Sequence, residues 1–184
     1  YSYLIASRRG GEALIIDPHI SLKNAYTDYL KKSALKLKFI VDTHTHADHF
    51  SLAMVLSKRL KAPVIMHGKA ISMVADRRVK NNDEITIGGE KLQVIYTPGH
   101  TNDSISVFAS GMLFTGDTLL IGSVGRTDFQ NGSSESMFDT LHRLKALPDE
   151  TIVYPGHDYH KKKFSDMARE KAVNPFMREV NKND

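Results

Sequence analysis

The chain contains no cysteine among its 184 residues. This absence excludes disulfide bonds and thiolate metal ligands, so any metal site must be built from nitrogen and oxygen donors. It also means that sulfur chemistry at this protein uses sulfur brought by a substrate. A reducing compartment is compatible with this composition but is not required by it.

Long apolar runs and nucleic-acid signatures are absent as well. No run approaches the roughly 20 apolar residues that a membrane-spanning helix needs, and no charged-then-apolar leader precedes the first strand. The net charge of +4 favours anionic small molecules, but the lysines are scattered and no aromatic-basic pattern is present. We therefore expect neither a membrane nor a nucleic-acid partner. The compartment is expected to be the cytoplasm if the protein is bacterial, and the mitochondrion if a targeting peptide has been removed before Tyr1.

The length and composition are those of one soluble domain. Hydrophobic residues make up 41% of the chain and charged residues 25%, which is enough apolar material for a sizeable core. No internal repeat, long linker or low-complexity tract interrupts the sequence. We expect a single domain over residues 1–184.

Short Val- and Ile-rich runs alternate with segments of helical spacing. Three hairpins are predicted around glycine-containing turns, joining Tyr3–Ile5 to Ala13–Ile16, Glu84–Ile87 to Leu92–Tyr96, and Ser104–Phe108 to Met112–Thr115. Further strands are predicted at 39–41, 63–66 and 151–154. Helices are predicted at 22–37 with Ser21 as N-cap, and at 47–60, 70–75, 136–147 and 164–173. This order indicates an α+β fold in which two sheets pack face to face with helices outside.

One segment is not explained by folding alone. Three histidines and an aspartate occupy six positions between His44 and His49, directly after the apolar run Phe39–Val41. Grouped imidazoles and a carboxylate lose solvation when they are buried, unless a cation binds them. The segment therefore indicates a divalent metal site.

Three more segments strengthen this interpretation. Each ends a predicted strand and pairs a ligand-type residue with a glycine: Thr97–His100, Thr115–Asp117 and Tyr154–His157. Glycine suits a sharp turn at the edge of a sheet, from which the next side chain reaches a shared cleft. We expect the ligands to meet at that edge.

Together these segments resemble the metallo-β-lactamase superfamily, and the resemblance runs from Tyr1 to about Pro175. It implies a four-layer αββα sandwich with the metal site at one edge of the two sheets. Three narrower features are similar to the persulfide dioxygenases: Gly125–Gln130, Tyr154–His160 and Asn174–Pro175. The resemblance implies an enzyme that oxidises glutathione persulfide with O2 to sulfite and glutathione, using one non-haem Fe(II) per chain.

In that family the iron ligands match His44, His100 and Asp117 of this chain. Two imidazoles and one carboxylate are the facial triad of non-haem iron oxygenases, which leaves positions open for substrate and O2. The remaining donors are either a second-metal set, with two zinc ions as the alternative cofactor, or residues that hydrogen-bond around a single iron: His46, Asp48, His49 and His157. The resemblance to the dioxygenases implies the second arrangement.

Three residues are predicted to act on the substrate. Arg126 lies nine positions after Asp117 on a glycine-containing segment, and its guanidinium suits a carboxylate of glutathione. Tyr159 lies two positions past His157, from where its hydroxyl could reach the metal pocket. Asp48, within the metal motif, is the third.

Some alternatives stay open at this point. A dinuclear zinc thioesterase resembling glyoxalase II shares nearly every metal residue, although only 27 residues follow His157 in place of its further helical domain. A metal-stabilised binding module is a third class, which would not need an open coordination side. Asn102–Ser104 replaces a Pro-Gly pair carried by many relatives, so the thiol carrier is open among glutathione, coenzyme A, other small thiols and polysulfide. A homodimer is compatible with the sequence.

Overall fold

The computed structural model describes residues 1–46, 50–128, 131–157, 159 and 161–181. Its strands are β1 (Tyr3–Ala6), β2 (Glu12–Ile16), β3 (Lys36–Val41), β4 (Val64–His67), β5 (Arg77–Val79), β6 (Glu84–Ile87), β7 (Glu90–Tyr96), β8 (Ile105–Ala109), β9 (Met112–Gly116), β10 (Leu119–Leu120), β11 (Ser123–Val124), β12 (Ile152–Pro155) and β13 (Ser165–Asp166). Its α-helices are α1 (Lys23–Lys32), α2 (Ala53–Leu60), α3 (Ser134–Leu144), α4 (Met167–Val173) and α5 (Pro175–Asn181). A 3-10 turn at Ile20–Leu22 precedes α1.

The strands form two main sheets and a small ribbon. The first sheet has the order β1-β2-β3-β4-β5, and the second has the order β13-β12-β9-β8-β7-β6. In the first sheet β2, β3, β4 and β5 run parallel, while β1 pairs antiparallel with β2 as the predicted hairpin. The ribbon consists of β10 and β11.

Alternation along single strands separates the layers of the core. Ala13 and Ile15 of β2 face a cluster that includes the helical residues of α1 and α2, whereas Leu14 and Ile16 face the second sheet. Successive side chains of a strand point to opposite faces, so a run of four apolar residues is buried on both sides. A third cluster joins the outer face of the second sheet to α3, α4 and α5. The described layers are therefore helix, sheet, sheet and helix, as predicted.

The strand directions bring the predicted ligand segments together. In the second sheet β7 and β9 both pair antiparallel with β8, and β12 pairs parallel with β9. The carboxyl ends of β7, β9 and β12 consequently lie at one edge, and His100, Asp117 and His157 follow these ends. β3 of the first sheet ends just before His44. Four loops therefore meet at one rim of the sandwich.

Several predicted boundaries were wrong. The predicted helix at 22–37 ends at Lys32, because Ala34 adopts a left-handed φ of 52° and the chain then enters β3. Ser21 does not cap α1, whose N-cap Leu22 makes no side-chain cap bond. Of the helix predicted at 47–60, residues 53–60 are helical and 50–52 are not, while 47–49 lie outside the described residues. No helix forms at 70–75, and β5, the ribbon and α5 were not predicted.

None of the described helices is long and apolar enough to cross a lipid bilayer.

Candidate metal centre

His44, His100 and Asp117 form one cluster at the rim. Each offers a ligand atom, and these atoms lie within 4.8 Å of one another. Each residue is at most 8% exposed. The predicted ligand set is thus brought together from three separate loops, and the carboxylate comes from the loop after β9.

His44 presents an unpartnered nitrogen to this cluster. Its Nε2 atom is buried and has no hydrogen-bond partner among the described residues. Burial lowers the pKa of His44 to about 4, so the ring is neutral and Nε2 can carry a lone pair. A buried polar atom without a partner is costly, and a metal ion would remove that cost. The donor set therefore fits a divalent ion.

The other ring nitrogen of His44 is held by Thr43. The Thr43 hydroxyl lies 2.9 Å from Nδ1 of His44 and donates to Oδ2 of Asp17 at 2.8 Å. Since a hydroxyl has one proton, the Nδ1–H of His44 donates to Thr43. The chain Asp17–Thr43–His44 therefore assigns the proton to Nδ1 and leaves Nε2 for a ligand.

His100 is oriented in the same sense by a backbone group. Its Nδ1 lies 2.8 Å from the carbonyl oxygen of Arg126, to which it donates. Its Nε2 lies 3.7 Å from Oδ2 of Asp117. Both imidazoles thus present Nε2 toward the shared space.

Asp117 divides its two oxygens between two neighbours. Oδ1 accepts a hydrogen bond from Nδ1 of His157 at 2.7 Å, while Oδ2 faces His100. Burial opposes the charged form of Asp117, but the bond from His157 and the surrounding histidines outweigh burial and lower its pKa. The carboxylate is therefore ionised and has one oxygen available to a cation.

His46 belongs to a second group of possible ligands, together with Asp17 and Asp42. Its Nε2 lies 3.1 Å from Oδ1 of Asp17, and Asp42 completes a group of three whose ligand atoms lie within 4.8 Å. Burial disfavours the charged ring, yet Asp17 raises the pKa of His46 to about 9. Burial also opposes ionisation of Asp17, but His46 lowers the pKa of that carboxyl to about 2. Burial raises the pKa of Asp42 to about 6.

The remaining predicted site residues have varied positions. Arg126 is bound through both Nε and an Nη atom to the Asp128 carboxylate, and it reaches the site by its backbone carbonyl. Tyr159 is largely exposed and stacks on His157 with ring centroids 5.8 Å apart. Asp48 and His49 lie outside the described residues, as do Phe129, Gln130, Asp158 and His160 of the family-like segments.

A cavity of about 320 Å³ adjoins the cluster. It is lined by Tyr1, Ser2, Asp17, His19, Ser21, Leu22, His44, His46, Asp117, Gly156 and His157. The volume lies at the lower end of small-molecule sites. Arg126 lines instead a second cavity of about 480 Å³, together with residues of α3 and α5.

Sequence reasoning missed three buried carboxylates around the site: Asp17, Asp42 and Asp103. Asp17 follows β2, and Asp42 follows β3, which runs parallel to β2. Because parallel strands end at one edge of a sheet, that order was a usable signal for these two. Asp103 lies in the loop after His100, where the sequence showed only a departure from the Pro-Gly pair.

Comparisons with known proteins agree on the superfamily. A family model described as the metallo-beta-lactamase superfamily matches residues 1–157. The mitochondrial persulfide dioxygenase ETHE1 of Bos taurus is 34% identical over 178 residues, covering 95% of this chain and 70% of the relative. The crystal structure of ETHE1 from Myxococcus xanthus superposes with a TM-score of 0.90 at 38% identity, covering 100% of this chain and 86% of that one.

A hydrolase is also similar to the chain. A hydroxyacylglutathione hydrolase of Chromohalobacter salexigens is 36% identical over 162 residues, covering 86% of this chain and 62% of the hydrolase.

Proposed function

Because the chain belongs to the metallo-beta-lactamase superfamily and, within it, to the persulfide dioxygenases, we propose that it oxidises glutathione persulfide with O2 at one iron. The balanced reaction consumes one persulfide, one O2 and one water, and it yields one thiol, one sulfite and two protons. The terminal sulfur is oxidised, and its bond to the thiol sulfur breaks. The observation that carries the proposal is the cluster of His44, His100 and Asp117.

This cluster suits a ferrous ion in an enzyme better than a structural zinc ion. Nε2 of His44, Nε2 of His100 and Oδ2 of Asp117 would hold the ion. Fe(II) bound there would supply a redox-active centre with open positions for sulfur and O2, which redox-inert zinc does not. A structural zinc site, by contrast, normally has four protein ligands.

The residues around the cluster orient the ligands. Thr43 and the Arg126 carbonyl hold the two Nδ1–H groups, so neither ring can flip without losing a hydrogen bond. His157 holds Asp117 through Oδ1 and leaves Oδ2 directed to the cluster. Leu22 and Tyr1 line the adjoining cavity, which has room for the persulfide end of a small thiol.

The similarity to the persulfide dioxygenases favours one metal ion over two. His46 hydrogen-bonds Asp17 and His157 hydrogen-bonds Asp117, each through one ring nitrogen, so a second ion could use only their other ring nitrogens. The other two residues of the second-metal set, Asp48 and His49, lie outside the described residues.

The decisive experiment compares two reactions of the same preparation. Protein loaded with Fe(II) should consume O2 when glutathione persulfide is added, and sulfite should accumulate in equal amount. It should hydrolyse lactoylglutathione slowly or not at all. Fast thioester hydrolysis without O2 uptake would assign the chain to the hydrolase activity named for its Chromohalobacter relative.

Metal analysis of protein purified without added ions tests the cofactor separately. We expect one iron per chain. Two zinc ions per chain would contradict the proposed centre.

A further inference from the structure

Asp103 contacts the loop that carries His44 and His46, although it is not itself a candidate metal ligand. It is 2% exposed. Its Oδ2 atom accepts hydrogen bonds from the backbone N–H of Thr45 at 3.0 Å and from the Thr45 hydroxyl at 2.6 Å. Thr45 lies between His44 and His46, so the carboxylate grips the backbone at the centre of the His-x-His segment.

The same pattern occurs two residues earlier in the chain. Asp17 accepts the backbone N–H of Thr43 at 2.7 Å through Oδ1 and the Thr43 hydroxyl at 2.8 Å through Oδ2. The loop that carries His44 is therefore held by two buried carboxylates, each bound to a threonine through both its N–H and its hydroxyl. Thr43 and Thr45 are the residues held in this way, and His44 lies between them.

Asp103 also joins this loop to the one that carries His100. It lies three positions after His100, in a turn closed by hydrogen bonds from the backbone N–H of Thr101 to the Ser104 hydroxyl and between the two hydroxyls. The N–H of Ile105 then donates to the carbonyl of Thr43 at 2.8 Å. Two links thus connect the loops, and they lie on either side of the His44 backbone.

We propose that Asp103 is a positioning residue that sets the separation of His44 and His100 before the metal ion binds. The proposal rests on the metal centre within the proposed function, but it is independent of the substrate and of O2. Without the carboxylate, the Thr45 N–H and hydroxyl lose their acceptor, and the loop must be ordered by the ion itself. The cost of that ordering is taken from the binding free energy, so affinity falls.

Cobalt(II) binding tests the proposal without any turnover. Asp103→Ala should weaken Co2+ binding by about tenfold, at the low end of the effect of residues that orient metal ligands. It should also alter the visible absorption of bound cobalt, which reports ligand geometry. Asp103→Asn should keep the Co2+ affinity and the visible absorption of the wild type, because a single amide oxygen can accept the same two hydrogen bonds that Oδ2 accepts.

Thr45 variants keep the test decisive if Asp103→Ala does not fold. Thr45→Val removes the hydroxyl bond alone, whereas Thr45→Ser keeps it. We expect weaker Co2+ binding and an altered spectrum for the valine variant, and wild-type values for serine. Wild-type affinity and spectrum in both Thr45→Val and any folded Asp103→Ala protein would overturn the proposal.

Asp166→Ala is the matched control for general destabilisation. Asp166 also accepts a backbone N–H, that of Arg169 at 2.7 Å, and caps α4. It pairs with Ile152, at the end of β12 opposite to His157. Its loss should lower the melting temperature and leave Co2+ affinity unchanged. If Asp103→Ala behaves in the same way, its role is only structural and the proposal is wrong. Absence of O2 uptake in wild-type protein would reject the dioxygenase proposal without affecting this measurement.

Discussion

The hydroxyl of Thr43 lies 2.9 Å from Nδ1 of His44, the residue that follows it in the chain. Because the same hydroxyl donates to Asp17, the contact makes Thr43 the acceptor for the histidine proton. Thr43, bound to Asp17, thereby determines which nitrogen of His44 faces the cluster.

Replacing Thr43 by valine should weaken metal binding. The change keeps the buried volume but removes the acceptor for Nδ1 of His44 and one donor to Asp17. Replacing a residue that hydrogen-bonds a metal ligand typically lowers metal affinity by a factor of about 10–100. Competition with a metal chelator measures the loss. Thr43→Ser retains the hydroxyl and should bind metal nearly as well as the wild type; equal affinity of the valine variant would contradict the assigned proton position.

Asp117→Asn should abolish both iron content and O2 uptake. The substitution removes the negative charge that faces His100 and weakens the bond from His157. Metal analysis and an oxygen electrode measure the two losses. Asp149→Asn is the control, because that carboxylate is exposed and pairs with Lys171. An Asp117→Asn protein with full iron and activity would show that the triad assignment is wrong.

Gly116→Ala should destabilise the fold and disturb metal binding together. Gly116 has a φ of 50°, and a Cβ atom there would overlap the Thr43 side chain. Gly111→Ala is a matched control, since φ is 77° but no heavy atom lies within 4 Å of the added carbon. The control should cost only about 1–2 kcal/mol of backbone strain, as expected for a left-handed L-residue. Urea unfolding and Co2+ titration separate the two effects, and equal losses in both variants would contradict the contact.

The metal-free protein should lose stability as pH rises from 6.5 through 9. Asp17 raises the pKa of His46 from its ordinary 6.5 to about 9, against the effect of burial. Folding therefore favours the protonated ring, and its contribution is complete below pH 6.5 and lost as pH passes through the folded value. Urea unfolding across this range measures the slope. His46→Gln should flatten this slope.

The opposite sign applies to Asp17 in acid. Its folded pKa of about 2 is below the ordinary 3.8, so its contribution is complete above pH 3.8 and is lost as pH falls through about 2. The metal-free protein should consequently lose stability as the pH falls below 3.8. Asp17→Asn should remove that acid dependence at the cost of lower stability at neutral pH.

Arg126→Ala should raise KM for glutathione persulfide while leaving iron content intact. The truncation keeps the backbone carbonyl that holds His100 but removes the guanidinium. If Arg126 binds a substrate carboxylate, Asp128 competes for it, and Asp128→Ala should lower KM. Steady-state kinetics with each variant measures both changes. An unchanged KM in Arg126→Ala would reject the role predicted for its side chain.

Local patterns account for the parts of the fold that were predicted correctly. The hairpin at Gly88 and Gly89 forms because both glycines adopt positive φ angles that the turn requires. The expectation that His100 and Asp117 meet at one edge of a sheet is met because each follows a strand whose apolar pattern is plain. The predicted helix at 22–37 failed because a left-handed turn at Ala34 separates helix from strand, and helical spacing does not reveal it.

Interactions between distant residues account for what was missed. Asp17 contacts Thr43 across 26 positions, and Asp103 contacts Thr45 across 58. Neither carboxylate lies in a recognisable motif, so only the folded geometry reveals its partner. The roles predicted for Arg126 and Tyr159 stay predictions.

His44 extends from the first sheet, whereas His100 and Asp117 extend from the second. An ion shared by these three side chains would tie the two halves of the sandwich together at the rim. Chelation should then allow the halves to open locally, with faster amide hydrogen exchange at the ends of β3, β7 and β9 than in the buried interior. Loss of the metal ion would thus expose the protein to proteolysis at this rim.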